Sequence, residues 1–143
     1  MGAEPIRRGG CLCGAVRYRY SGPIGGDLGA VTICHCASCR RAQGYGAAAA
    51  PILASGWRVT AGEAVIREHE SSPGKLRAFC SLCGSPLYSR RPAQPDGLRL
   101  RLGSLDRAPP GLTVDAHIFT EGAPAWAVAD DAPRYAGFEP GRG

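Results

Sequence analysis

Residues 79–88 read Phe79-Cys80-Ser81-Leu82-Cys83-Gly84-Ser85-Pro86-Leu87-Tyr88, and this stretch decides how the chain can fold. It is a C-x-x-C pair closed by a glycine. Glycine after the second cysteine permits the left-handed turn that wraps a backbone round an ion. Residues 9–18, Gly9-Gly10-Cys11-Leu12-Cys13-Gly14-Ala15-Val16-Arg17-Tyr18, repeat the device with a C-x-C pair. The two pairs look like two knuckles gripping one ion from distant parts of the chain. Four thiolates close a tetrahedral zinc site with Zn–S near ~2.3 Å. Iron is a rival, because tetrahedral sulfur alone does not separate the two metals.

Between the knuckles lies Thr32-Ile33-Cys34-His35-Cys36-Ala37-Ser38-Cys39-Arg40-Arg41-Ala42-Gln43-Gly44. Cys39 is followed by arginine rather than glycine, which sets this trio apart. Seven thiols make one closed site and one site of three ligands with an open fourth position, the usual division between structural and catalytic zinc. The expected partition is Cys11, Cys13, Cys80 and Cys83 against Cys34, Cys36 and Cys39. Two other readings stand beside it. His35 or a distant carboxylate could close the second site, or the trio could hold no metal. In an extended run Cys34 and Cys36 share a face and His35 leaves it, which disfavours His35 as a ligand.

The rest of the composition limits the function. The chain has 143 residues, 44% hydrophobic and 20% charged, which fits one folded domain over 1–143 and excludes a wholly disordered chain. Its longest uncharged stretch, residues 42–57, is shorter than the ~18 apolar residues a membrane span needs. The start, MGAEPIRRGG, has no apolar core for a signal peptide. An odd number of cysteines without an export signal suggests a reducing compartment, so a cytoplasmic location is expected. Formal charge is 17 − 12 = +5. Seven thiolates and two Zn²⁺ would change it to 5 − 7 + 4 = +2. The arginine pairs Arg7-Arg8, Arg40-Arg41 and Arg90-Arg91 are scattered and lack interleaved aromatics, which argues against nucleic acid as a partner. A homo-oligomer stays open.

Glycine and proline together make 21 + 12 = 33 residues, so helices should be few and short. The fold expected is mainly β. Val16, Tyr18 and Tyr20 alternate with Arg17 and Arg19 as a half-buried strand. Val31–Cys34 delivers the trio, and 37–43 forms one or two helical turns stopped by Gly44. Residues 47–53 are divided between helix, from four alanines, and strand, from Pro51 and the bounding glycines. Further strands are expected at 57–60, 64–68, 76–79, 86–90 and 112–119. The cleanest signal is Leu98, Leu100 and Leu102 alternating with Arg99 and Arg101. Residues 1–10 read as a frayed lead-in and 129–143 as a surface tail. Trp57 and His117 read as structural residues.

GGCLCGAVRY, CHCASCR, SSPGKLRAFCSLCGSPLY, LGSLD, HIF and a late tryptophan together resemble the glutathione-dependent formaldehyde-activating enzyme family, the GFA/CENP-V domain, over about residues 8–135. The resemblance implies an Mss4-like complex β fold with two zinc sites, matching Cys11, Cys13, Cys80 and Cys83 at the closed one and Cys34, Cys36 and Cys39 at the open, catalytic one. It implies a carbon–sulfur lyase that handles the adduct of glutathione, or a similar small thiol, with formaldehyde or another small aldehyde. The family pattern commonly has a lysine before the late tryptophan. Here Glu121–Trp126 has none, and no role passes to that segment.

An electron-rich three-thiolate zinc suits this chemistry better than hydrolysis, because it can accept and deprotonate an incoming thiol. Arg40, next to the trio, is the candidate for pairing with a carboxylate of an anionic thiol. Zinc deaminases need H-x-E before P-C-x-x-C, but His35 is followed by Cys36 and Ala37. The alternatives are a non-catalytic, zinc-stabilised binding module and a thiol redox sensor.

Overall fold

The computed structural model describes residues 5–128 and 130–142. Ten strands form two sheets: β1 (Ile6–Gly10), β2 (Arg17–Ser21), β3 (Thr32–Cys34), β4 (Ala48–Leu53), β5 (Trp57–Ala61), β6 (Ile66–Ser72), β7 (Lys75–Cys80), β8 (Pro86–Arg90), β9 (Gly97–Arg101) and β10 (Ala116–Ile118). The α-helix among the described residues is α1 (Ala37–Gln43), and Gly44 ends it in the left-handed conformation at φ 74°. The smaller sheet has the order β1-β2-β5 and the larger β10-β3-β4-β9-β8-β7-β6. The mainly β expectation is met. No helix among the described residues is long and apolar enough to cross a membrane.

The two sheets meet through the alternating residues. Tyr18 and Tyr20 of β2 pack with Ile52, Leu98 and Leu100 of the larger sheet. Trp57 joins this core and lies 4.0 Å from Tyr18, ring centre to ring centre. Residues 47–53 resolve as strand, and the pairing explains how Pro51 is tolerated. β3 pairs with β4 only at Ala48 and Ala49, so on that side Pro51 has no ladder donor to supply.

Three expectations need correction. Residues 6–10 are not frayed: β1 pairs with β2 over its whole length, from Ile6 opposite Ser21 to Gly10 opposite Arg17. The strand expected at 64–68 begins later, because residues 63–65 form a 3-10 turn. The strand expected at 112–119 is only Ala116–Ile118, with residues 112–115 irregular. The described tail is mostly exposed, as expected of a surface segment, and it is also tied to β10. His117 N donates to Pro133 O (2.8 Å), Tyr135 N to His117 O (2.9 Å) and Phe119 N to Gly137 O (3.2 Å). An edge strand leaves a row of unpaired backbone groups, and the tail satisfies those of β10. Ala129 and Gly143, at the ends of that tail expectation, lie outside the described residues.

Candidate functional site

The knuckles form by local geometry. After β1, Gly14 N returns to Cys11 O (3.2 Å), and after β7, Gly84 N returns to Cys80 O (2.7 Å). Gly14 has φ 82° and Gly84 has φ 81°, conformations that cost a residue with a Cβ roughly 1–2 kcal/mol. Each turn points two sulfurs inward. Cys11, Cys13, Cys80 and Cys83 gather with all four sulfurs within 4.8 Å of one another. Cys11 and Cys13 Sγ are 3.6 Å apart, and Cys13 and Cys80 Sγ are 3.9 Å apart. A tetrahedral ion with ~2.3 Å bonds places its sulfurs ~3.8 Å apart, so this group fits zinc. It is anchored in a second apolar cluster of Val16, Cys80 and Leu87.

The second group is Cys34, Cys36 and Cys39, also within 4.8 Å. Cys34 ends β3. Cys36 is the N-cap of α1, and its sulfur accepts from Cys39 N at 3.4 Å. Among the described residues no histidine or carboxylate joins this group. His35 is buried and turned elsewhere: its Nε2 lies 2.8 Å from Nδ1 of His117, whose Nε2 lies 2.9 Å from Asp130. His117 is thus a satisfied structural histidine. The sulfurs share protons unequally. Hydrogen bonding to Cys34, with the Arg77 guanidinium beside it, pulls Cys39 down to about 4. The same bond to Cys39, together with burial, pushes Cys34 far up. At the other centre, the hydroxyl of Ser85 holds Cys83 down at about 5.

The trio opens into a cavity of about 180 Å³ walled by Lys75, Arg77, Arg91, Arg99, Arg101 and Arg142. Arg40 is not among its lining residues; it lies half-buried on α1. The cations that reach the pocket come from distant strands. Lys75 and Arg77 share one face of β7, and Arg99 and Arg101 share one face of β9. Cross-strand register sets Arg77 opposite Ser89 and Ser89 opposite Arg99, with Arg101 opposite Ala49 and Ala49 opposite Thr32. The small Ser89 and Ala49 leave room above the sheet. Arg77 Nη2 donates to the Cys39 sulfur at 3.4 Å.

Along the sequence Arg99 and Arg101 are simply the residues that alternate with Leu98, Leu100 and Leu102. Their alternation carries no distinguishing signal, because Arg17 and Arg19 on β2 form the same i, i+2 pair outside the pocket.

Fold and sulfur geometry together define a mainly β protein with two cysteine centres able to hold metal ions, one of four sulfurs that includes the exposed Cys13 and one of three sulfurs that faces a cationic pocket. The chain belongs to the glutathione-dependent formaldehyde-activating enzyme family, whose pattern it matches over residues 6–122. A Halomonas elongata protein named "Putative glutathione-dependent formaldehyde-activating enzyme" is 30% identical over 131 residues, covering 85% of this chain and 79% of the relative. A crystal structure of a Rhodobacter sphaeroides protein superposes with a TM-score of 0.60 at 22% identity, covering 89% of this chain and 98% of that one. That likeness is one of fold.

Proposed function

We propose that the protein is a zinc-dependent carbon–sulfur lyase-type enzyme that joins a small thiol, glutathione in the family's description, to formaldehyde or a similar aldehyde, and runs the reverse cleavage. The observation that carries this reading is a sulfur cluster of three that opens into a pocket instead of closing on a fourth donor. Cys11, Cys13, Cys80 and Cys83 would hold a structural ion, and Cys34, Cys36 and Cys39 would hold the second. Zinc at three thiolates supplies an open position at which a thiol loses its proton near neutral pH.

The chain's own groups support the reaction around that centre. Arg77 bonds to the Cys39 sulfur, and the Arg101 guanidinium acts on Cys39 and Cys34. Together they offset the negative charge that gathers when a further thiolate enters. None of the described residues lining the pocket is Asp, Glu or His. Thiol activation therefore falls to the cysteine centre rather than to a side-chain base. In the forward direction the thiolate sulfur bonds to the aldehyde carbon. The carbonyl π pair moves to oxygen, which takes up the proton that the thiol released.

Cobalt substitution tests this reading. Glutathione should produce a thiolate-to-cobalt absorption band in the wild type, and formaldehyde should reduce it. A band that fails to appear, or that is equally strong in Cys36→Ser, would leave the stabilised binding module as the better account.

A further inference from the structure

His35 is the single residue between Cys34, which ends β3, and Cys36, which caps α1. In an extended run its side chain leaves on the face opposite the two cysteines, so whatever fixes the His35 ring also fixes where both sulfurs point. β10 and the turn after it grip this residue at three places. His35 N donates to Ile118 O (3.0 Å), its Nε2 lies 2.8 Å from Nδ1 of His117, and a Cβ built on Gly122 would stand 2.7 Å from His35 O. Glycine at 122 is what allows so close an approach.

The ring contact belongs to a chain of hydrogen bonds that starts in the core and ends in solvent. His35 and His117 are buried, whereas Asp130, whose oxygens lie 2.9 and 3.0 Å from His117 Nε2, is half exposed. A carboxylate only accepts, so His117 donates from Nε2; in the neutral ring Nδ1 then accepts from His35 Nε2. Asp130 is itself held, since its Oδ1 accepts from Ala132 N (2.8 Å). Two apolar side chains would fill the same volume without the desolvation that buried imidazoles carry. A fully bonded polar chain in their place fixes one ring orientation, and with it one arrangement of the backbone between the cysteines. None of His35, His117 and Asp130 lines the three-cysteine cavity, so the chain acts from behind the centre and not on anything bound in front of it.

We propose that Asp130 and His117 are positioning residues of the three-cysteine centre: they hold the His35 ring, and through it the Cys34 and Cys36 sulfurs, in the arrangement a metal ion needs. This rests on the reading of the trio as a metal centre and adds that the C-terminal segment preorganises it. Supporting hydrogen bonds around metal ligands typically change affinity ~10–100-fold. Asp130 acts through two further side chains, which places its effect at the lower end of that range.

The test reads metal affinity and spectrum, not turnover. Full-length protein loaded with zinc at both centres is titrated with a competing chelator, and the cobalt-loaded form supplies the d–d bands of the three-thiolate centre. Asp130→Ala should weaken the second ion about tenfold, leave the first unchanged and shift those bands. Asp130→Asn, which keeps an oxygen to accept from His117, should restore most of the affinity. In a His117→Gln background, Asp130→Ala should cost nothing further, because the link to His35 is already broken. Asp130 is exposed, so the two single variants at 130 stand even where His117→Gln does not fold. Glu68→Gln, which lowers stability on the face of β7 away from the pocket, should leave the second ion unchanged. An Asp130→Ala protein with wild-type affinity and bands overturns the positioning role. So does an equal loss at both centres, or a loss of the second ion in Glu68→Gln as well, since either marks general destabilisation. Wild-type protein that takes up only one ion per chain removes the metal reading of the trio itself, and the positioning role with it.

Discussion

Gly84 shows how a single residue controls a metal centre. A Cβ built on it meets nothing within 4 Å, so its requirement comes from φ 81° and not from crowding. Gly84→Ala should therefore cost about 1–2 kcal/mol through backbone strain alone, read as a lower melting temperature of the metal-loaded protein. The cysteines differ more sharply. Cys80 is fully buried in the apolar cluster around the four-sulfur group. Cys80→Ser should unfold the chain, since a structural zinc contributes ~10–16 kcal/mol to small domains. Cys36→Ser should keep the circular dichroism spectrum, lose one metal per chain and abolish activity. Equal loss of fold in both variants would remove the division into structural and catalytic centres. Arg77, far away in sequence, donates to the Cys39 sulfur.

Among the elements, β7 separates two chemistries. Lys75 and Arg77 point to the pocket, while Ala78 lies opposite Glu68 on one side and Tyr88 on the other. The small Ala78 lets Glu68 reach across β7 to Arg90, bonding at 2.6 and 2.8 Å, and to Tyr88 at 3.1 Å. Arg90 first, and Tyr88 after it, hold the Glu68 carboxyl below its ordinary 4.5. A carboxyl with a lowered folded value stabilises above the unfolded value and loses that contribution as pH falls through the folded one. Both partners are partly exposed, so screening limits the pair to roughly 0.5–1 kcal/mol. Glu68→Gln should lower stability by about that much at pH 7 and leave it unchanged near pH 2, as read from melting curves across pH. Strand positions were largely legible from alternation and turn residues. The short β10 was not, because its length is set by parallel pairing with the three residues of β3.

For the whole molecule, the two centres should release metal separately. The four-sulfur group ties the ends of β1 and β7 together and shares an apolar cluster, so loss of its ion should open the fold. The three-sulfur group faces a cavity. Graded chelation should remove one metal quickly with little change in circular dichroism, and the second together with unfolding. Simultaneous loss of both would show that the centres are not independent.

Cysteine spacing and the glycines at 14 and 84 carried the two-group sulfur pattern in the sequence alone, because left-handed turns and ligand spacing are local properties of the backbone. Alternation likewise carried the β character, since a period of two assigns residues to faces. What covers each face was decided only by the tertiary structure. Leu98 and Leu100 meet the second sheet, while Arg99 and Arg101 meet a sulfur centre that a different strand and helix deliver. A periodic pattern looks the same whether its polar side faces water or a binding pocket, and only the packing of distant strands makes those arginines a binding wall.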